Sequence, residues 1–184
     1  SPTPEDGNKR SLDFECDQEF DVEQGEQDKE AGAKVRVKEK LEELIAQTEQ
    51  DAVEIAQALH DQITKGEIEV ETKGRKIIIR IREKGSFKTA SAELNDDYYD
   101  VIDEIREVLR EKPGKVFVEG HTDNIPIKTA RFRSNWELSS SRAVSVAHEL
   151  MKDDINERRF AISGYSDTVP LVANNSRDNR GRNR

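Results

Sequence analysis

The spacing of apolar residues predicts one long helix in the first half of the chain. From about Val35 to Thr64, apolar side chains recur at intervals of three and four residues, and most positions between them are charged or polar. The stripe is narrow, so this amphipathic helix is expected to pack along one face only, on the following domain or on a second copy of itself. The pattern is equally compatible with a solvated lead-in helix. The stripe contains Leu41, Leu44, Ile45, Ala52, Ile55, Ala56, Leu59 and Ile63.

The periodicity changes from helical to strand-like after this helix. Residues 67–71 and 76–82 have strand patterns and are separated by a Lys-Gly turn at residues 73–74, which predicts a β-hairpin. A second helical pattern follows, with Asn95 as its expected N-cap and a Pro-Gly stop at residues 113–114. Its apolar side should cover the sheet with Tyr98, Val101, Ile102, Ile105, Val108 and Leu109.

The next segment repeats the order of strand and helix. Residues 115–120 form a short apolar run that predicts a buried strand, and residues 159–164 predict another. Between them, the hydroxyl of Ser134 and the carboxylate of Glu137 have the spacing of a capping box at the start of a helix that runs to about Lys152. The expected buried face of this helix is Leu138, Ala143, Val146, Ala147 and Leu150.

This order of elements predicts an α+β fold, with helices packed on one face of a small mixed sheet. Residues 67–184 would form this domain, preceded by the amphipathic lead-in helix at residues 34–66. Residues 1–33 are expected to be a disordered acidic linker, because they lack a periodic apolar face and carry an excess of one charge. The polar tail at residues 174–184 is compatible with the start of a third helix.

Charge is distributed unevenly and restricts the partners. The formal net charge is −9, and residues 1–30 hold eleven acidic against three basic side chains, so the remainder is close to neutral. Binding to nucleic acid would need a basic stripe that neutralises phosphates, which argues against nucleic acid as a partner. Residues 158–184 are the exception, with six arginines against two aspartates, and this positive patch is suited to an anionic ligand.

The cysteine and histidine content argues against a metal site and against an enzyme. Cys16 is the single cysteine, so neither an intrachain disulfide nor a thiolate cluster can form. His60 and His148 lie on predicted helices at a spacing that suggests no metal ligation. An enzyme that uses His121 and Asp123 as acid and base is one hypothesis, but His121 has no nucleophilic partner in a recognisable frame.

The chain has no evident membrane or targeting segment. No apolar run approaches the roughly 20 residues that span a bilayer, and there is no signal-peptide pattern and no initial Met. The sequence is therefore expected to be a fragment of a longer protein.

Two polar segments stand where a binding site is expected. Asp123 lies just past a predicted strand end, and Asn135, Ser139 and Arg142 follow on one ridge of the next helix. A carboxylate and a guanidinium that are close but not spent on each other form a receptor for a zwitterion. Asp123 would then bind an ammonium group, and Arg142 would bind a carboxylate bidentately. The pattern also fits a simple ion pair that ties the loop to the helix.

Several linked motifs resemble a known family. The motifs are residues 87–94, the VEGHTDNIPI segment at 118–127, the SNWELSSSRA segment at 134–143, Ser163-Gly164-Tyr165, and the tail at 179–184. Together they resemble the OmpA-like peptidoglycan-binding domain, in particular its flagellar stator branch, the MotB and PomB proteins, and are somewhat closer to PomB. The resemblance covers roughly residues 67–184 and implies an OmpA-like βαβαβ sandwich.

The resemblance also implies a ligand and a role. Asp123 and Arg142 would hold the diaminopimelate residue of the peptidoglycan stem peptide. The implied function is non-catalytic anchoring of a flagellar stator unit to the cell wall, without a cofactor or a metal. Other residues carried over from the family are Thr122, Asn135 and Leu138, which would shape the pocket, and Arg180 and Arg184, which would lie close by.

The family further implies a periplasmic domain of a bacterial inner-membrane protein, a homodimer, and a channel partner subunit similar to MotA or PomA.

The chain departs from the family in a longer loop between Asp123 and Asn135, and in the absence of the final strand after Arg184 and of a membrane helix before Ser1. Two alternatives stay open at this point: the same wall-binding fold in an outer-membrane or secretion-system protein, and a coiled-coil interaction module centred on residues 35–64.

Overall fold

The computed structural model describes residues 27–184, with side chains from residue 29 onward. The chain divides into two units, residues 1–42 and residues 43–184. Most of the predicted acidic linker, including Cys16, lies outside the described residues.

Helix α1 spans Gln27–Ala58 and begins earlier than the predicted boundary at residue 34. Residues 27–33 include two alanines, the best helix formers, and the Lys34 Nζ lies 2.7 Å from the Glu30 carboxylate one turn earlier. In the first unit, Val35, Val37 and Leu41 are 47% to 69% exposed. In the second unit, the stripe is buried at Ala52, Ile55 and Leu59, as its period predicts.

A short helix, α2 (His60–Thr64), leads into a hairpin of β1 (Ile68–Lys73) and β2 (Lys76–Ile81). The two strands are antiparallel, with Ile68 opposite Ile81. Gly74 supplies the positive φ of 59° that the tight turn requires. The predicted hairpin is thereby confirmed.

Helix α3 spans Tyr98–Glu111 and its N-cap residue is Asp97, so the prediction of Asn95 as N-cap is wrong. The Asn95 side chain instead donates its amide to the Gly85 carbonyl at 2.8 Å, which holds the loop between β2 and α3. The Tyr98 hydroxyl donates to the Glu67 carbonyl at 2.7 Å, and burial raises the pKa of this hydroxyl above its usual range.

The last part of the domain is a strand, helix and strand unit. It consists of β3 (Val116–Gly120), α4 (Asn135–Leu150) and β4 (Phe160–Gly164), with β3 and β4 parallel and in register from Val116 to Gly120. Within residues 27–184, the strands form two separate pairs, β1 with β2 and β3 with β4, instead of one mixed sheet. The antiparallel strands β1 and β2 are joined by a short turn, whereas the parallel strands β3 and β4 are joined through α4. Each pair therefore has a connection of the length that its strand direction requires.

One hydrophobic core holds these elements together, and the α+β class predicted from the sequence is confirmed. The helices α1, α3 and α4 contribute most of it, together with single residues of β1 and β3. Its largest fully buried members are Leu59, Ile68 and Ile102. A separate small cluster contains Ala92, Phe132 and Leu138, with Ile127 packed against it.

Arg159, just before β4, ties the end of α3 to the sheet. Its guanidinium donates to the carbonyls of Leu109, Lys112 and Gly114, each at 2.7 Å. These carbonyls lie at and beyond the last turn of α3, where helical partners are lacking.

Replacing Arg159 with alanine is therefore expected to lower the free energy of unfolding by about 2 kcal/mol, because three carbonyls lose a charged donor. Urea denaturation measures the change. Arg158→Ala is the matched control, since the Arg158 side chain is exposed, and the change there should stay within about 0.5 kcal/mol. Equal stability of the two variants would show that the Arg159 contacts contribute nothing.

Candidate functional site

The ends of β3 and β4 position the first half of the site. Beyond the strands, the Thr122 amide donates to the Ser166 carbonyl at 2.8 Å, and the Tyr165 amide donates to the Gly120 carbonyl at 2.9 Å. These bonds continue the pairing by two residues and fix the backbone that carries Asp123.

Two glycines let α4 lie against these strand ends. A Cβ atom at Gly120 would lie 2.0 Å from the Ser139 carbonyl oxygen, and one at Gly164 would lie 2.1 Å from the Ser140 hydroxyl. Ser139 is fully buried, and its hydroxyl accepts from the Ser166 amide at 3.1 Å. This close approach places the helix that carries Arg142 beside the loop that carries Asp123.

Asp123 is 5% exposed and holds two contacts of different kinds. Its Oδ1 accepts from the Ile125 amide at 2.9 Å, and its Oδ2 lies 3.3 Å from Nη1 of Arg184. The Asn135 side chain donates to the Ile125 carbonyl at 2.9 Å, so the start of α4 holds the same turn from the other side. The carboxylate is therefore fixed in direction by the backbone.

Arg142 is 6% exposed, and its guanidinium is also held in one orientation. Nε donates to the Ser91 carbonyl at 2.8 Å, and Nη1 donates to Oε1 of Glu83 at 2.7 Å. The guanidinium carbon lies 4.8 Å from the centre of the Phe87 ring, within range of a cation–π contact.

The two predicted ligand-binding charges are linked by two further residues. Oε2 of Glu83 lies 2.5 Å from Nε of Arg184, whose Nη1 contacts Asp123. The row of charges is therefore Asp123, Arg184, Glu83 and Arg142, here called the charge row. Neither a hydrogen bond nor an ion pair joins Asp123 directly to Arg142 in the described part of the chain. The alternative of a direct ion pair is therefore not found. The two groups also do not stand open as expected, because Arg184 contacts Asp123 and Glu83 contacts Arg142.

Thr122, the residue before Asp123, has a buried hydroxyl without a partner. Within residues 29–184, only this Oγ1 and Nδ1 of His121 are buried side-chain polar atoms with no hydrogen bond. The His121 ring stacks on Tyr165 with ring centres 5.2 Å apart, and its Nε2 lies 3.7 Å from the Glu119 carboxylate. A buried hydroxyl without a partner is costly, so Thr122 is suited to bind a ligand group.

The other predicted site residues lie at different positions. Leu138 is buried in the small cluster with Ala92 and Phe132, where it supports the loop after β3. Arg180 donates to the Asn174 carbonyl at 3.4 Å and makes no ion pair with the charge row. Of the two tail arginines predicted for the site, Arg184 contacts the charge row, whereas Arg180 contacts another residue of the tail.

Asn183 fixes the position of Arg184. Residues Arg177–Arg182 form helix α5, which confirms the expected third helix, and Asn183 follows it with 4% exposure. Its side chain accepts from the Val172 amide at 3.0 Å and donates to the Val172 carbonyl at 2.7 Å. Sequence reasoning missed both Asn183 and Glu83, although Glu83 lies two residues past the end of β2, in a loop where binding groups collect.

The predicted capping box at the start of α4 is only partly present. Ser134 is the N-cap residue in extended conformation, but its side chain makes no capping hydrogen bond. The Glu137 carboxylate accepts from the Arg133 amide at 2.6 Å and also pairs with the Arg133 side chain. These contacts, the amide first, lower the pKa of Glu137 and draw its carboxylate one residue upstream of the expected partner.

Residues 27–184 show neither a candidate metal cluster nor a candidate membrane-spanning helix. This part of the chain contains no group of three or more His, Cys, Asp or Glu side chains that could hold a metal ion. None of its helices has both the length and the apolar character needed to cross a membrane.

The second half of the chain matches the OmpA family. The family match covers residues 86–184, and the chain belongs to this family. The resemblance predicted from the motifs is confirmed, because the matched residues include the loop with Asp123, the helix with Arg142 and the tail.

The proteins similar to this chain include motility proteins and a secretion-system anchor. The chain is 27% identical over 133 residues to motility protein B of Bacillus subtilis, which covers 71% of this chain and 51% of that protein. It spans about half the length of the curated relatives that it matches first. The solved structure of a putative MotB-like protein from Desulfovibrio vulgaris has a TM-score of 0.73 at 27% identity, and covers 78% of this chain and 90% of that chain. The structure of the cell wall anchor of the T6SS from Pseudomonas aeruginosa has a TM-score of 0.67 at 38% identity, and covers 71% of this chain and 91% of that chain.

Proposed function

We propose that this domain binds the stem peptide of peptidoglycan, at its diaminopimelate residue, without catalysing a reaction. The observation that supports the proposal most directly is the charge row, which brings together two carboxylates from the loops after β2 and β3 and two guanidinium groups from α4 and the tail. Such a row matches a zwitterionic amino-acid end, which brings one positive and one negative charge.

Binding would exchange partners without leaving a buried charge unpaired. The ammonium group of the diamino acid pairs with Asp123, and its carboxylate pairs with Arg142. Because the ligand is neutral in sum, the row stays balanced and the desolvation cost of an unpaired ion is avoided.

The other proposed site residues support this binding. Thr122 supplies the hydroxyl that lacks a partner, Asn135 holds the loop and Leu138 supports it. Arg184 borders the ligand, and Arg180 orders the tail around it.

The non-catalytic part of the proposal is supported by the setting of His121. Its ring is stacked on Tyr165 and its Nε2 faces the Glu119 carboxylate. Both contacts hold the ring in place beside the loop, so His121 has the role of a structural residue. A general base would instead lie beside a nucleophile that it activates.

Co-sedimentation with purified sacculi tests the binding. The full chain is expected to be retained on diaminopimelate-containing walls and to be released by a soluble diaminopimelate stem peptide. Arg142→Lys is expected to weaken binding by about tenfold or more, because one ammonium cannot replace a guanidinium that bonds Ser91, Glu83 and a ligand carboxylate together. Equal retention of wild type and Arg142→Lys, or no retention of wild type, would contradict the proposal.

We further infer that the domain anchors a flagellar stator unit, as the periplasmic part of an inner-membrane protein that forms a homodimer and joins a channel subunit of the MotA or PomA kind. This inference is supported by the likeness to motility protein B and to solved MotB-like structures. The exposed apolar side chains of α1 between Val35 and Leu41 are compatible with a contact to a second copy.

A secretion-system wall anchor is the second candidate. It is supported by the 38% identity to the T6SS anchor, which is higher than the identity to the MotB-like structure. A domain exchange separates the two. Residues 27–184 would replace the matching region of motility protein B or of the T6SS anchor, and restored swimming or restored secretion would identify the setting.

A further inference from the structure

We propose that Glu83 is a ligand-binding residue of this site: Glu83 and Asp123 form a two-carboxylate subsite for a primary ammonium group, which the guanidinium of Arg184 occupies in the structure. The inference rests on the proposed function and names the residue that gives the site its preference for a free ammonium group.

The geometry of Arg184 defines the subsite. Its Nε lies 2.5 Å from Oε2 of Glu83, and its Nη1 lies 3.3 Å from Oδ2 of Asp123. One cationic group thus contacts two carboxylates from different parts of the fold, since Glu83 follows β2 and Asp123 follows β3. An ammonium group has three donors and can meet the same two oxygens.

The two carboxylates are fixed, whereas the cation is not. Glu83 is held through Oε1 by Arg142 at 2.7 Å, and Asp123 is held through Oδ1 by the Ile125 amide at 2.9 Å. Each therefore presents its other oxygen to the subsite. The Arg184 side chain is 38% exposed, compared with 20% for Glu83 and 7% for Asp123, so it can move into solvent while both acceptors stay in place.

Charge balance determines which ligand fits. With Arg184 in the subsite, the two carboxylates of the row face two guanidinium groups. An ammonium group that replaces Arg184 supplies the positive charge that the two carboxylates lose. The carboxylate of the same amino acid is met by Arg142 and by Arg184, which borders the ligand after it leaves the subsite. An acylated, uncharged nitrogen that displaced Arg184 would leave two partly buried carboxylates with only Arg142 as a cation. The subsite therefore selects a diamino acid whose second amino group is free, because unpaired buried groups carry a large penalty.

Calorimetric titration of the full chain with two soluble stem tripeptides tests this assignment. One tripeptide has a free amino group on the side chain of its diamino acid, and the other is acetylated at that nitrogen. Glu83→Gln is expected to weaken binding of the free-amine peptide by about tenfold or more, and to leave binding of the acetylated peptide nearly unchanged. The control Glu71→Gln removes an exposed ion pair with Arg80 on the hairpin and should bind both peptides as wild type does.

Two results overturn the assignment. If Glu83→Gln binds the free-amine peptide as tightly as wild type or more tightly, Glu83 only competes with the ligand for Arg142. If the variant loses affinity equally for both peptides, Glu83 does not read the ammonium group. Failure of the proposed function is a different outcome, because wild type would then bind neither peptide and Asp123→Asn would change nothing.

Arg184→Ala provides a second measurement if Glu83→Gln does not fold. This variant removes the internal cation and keeps both carboxylates, so it should unfold at a lower temperature than wild type. The free-amine peptide is expected to raise the unfolding temperature more in Arg184→Ala than in wild type, because it supplies the missing cation. An equal or smaller rise in the variant would refute the two-carboxylate subsite.

Discussion

Asp123→Asn is expected to release the chain from peptidoglycan, with a loss of affinity of about thirtyfold or more, as for truncation of one partner in a buried charge pair. The amide has the shape of the carboxylate and can still accept from the Ile125 amide through its oxygen. It cannot balance an ammonium group, so the loss falls on binding more than on folding. Sedimentation with sacculi over a range of protein concentrations measures the affinity.

A neighbouring acid provides the control for this experiment. Asp167 follows β4 as Asp123 follows β3, but within residues 29–184 its carboxylate accepts only from the adjacent Ser166 hydroxyl, at 3.1 Å. Asp167→Asn should therefore bind sacculi as wild type does. The account is contradicted if Asp123→Asn and Asp167→Asn are retained equally.

Gly120→Ala is expected to lower the free energy of unfolding by about 3 kcal/mol, the upper part of the range for overpacked sites. The new Cβ would lie 2.0 Å from a backbone oxygen of Ser139, which cannot turn aside as a flexible side chain can. Helix α4 must then move away from the strand ends and take Arg142 with it, so binding to sacculi should fall as well. Chemical denaturation gives the first quantity and co-sedimentation the second.

The matched control is Gly32→Ala, a glycine inside α1. An added Cβ at Gly32 meets no atom within 4 Å, and alanine favours the helix. This variant should be unchanged or more stable by up to roughly 1 kcal/mol. A Gly120→Ala variant as stable as Gly32→Ala would show that α4 does not depend on this close approach.

The features that the sequence pattern predicted correctly are local ones. The hairpin, the strand and helix order after it, and the amphipathic helix each depend on periodicity within one segment. The candidate pair Asp123 and Arg142 was found for the same reason, since one follows a strand and the other lies on the next helix. In the structure, Asp123 and Arg142 are linked through Arg184 and Glu83.

The features that were missed depend on contacts between distant segments. Glu83 reaches Arg142 across 59 positions of the chain, and no local pattern marks that partner. Asn95 has the residue type of an N-cap, but its amide is used by the Gly85 carbonyl. Glu137 is an exception, because it has the capping-box spacing, yet Arg133, only four residues earlier, binds its carboxylate through its amide and side chain. Glu83 and Asn95, by contrast, bind partners that only the folded chain brings near.

The central claim, that the strand-end site binds the diamino acid of a stem peptide, is tested most directly by nuclear magnetic resonance. The full chain, labelled with ¹⁵N, would be titrated with a diaminopimelate-containing stem tripeptide. The account predicts that the largest shifts occur at the amides of Thr122 and Asp123 and at the Nε–H of Arg142. Saturating peptide that leaves these three signals unchanged, or that shifts only signals of α1, would contradict it.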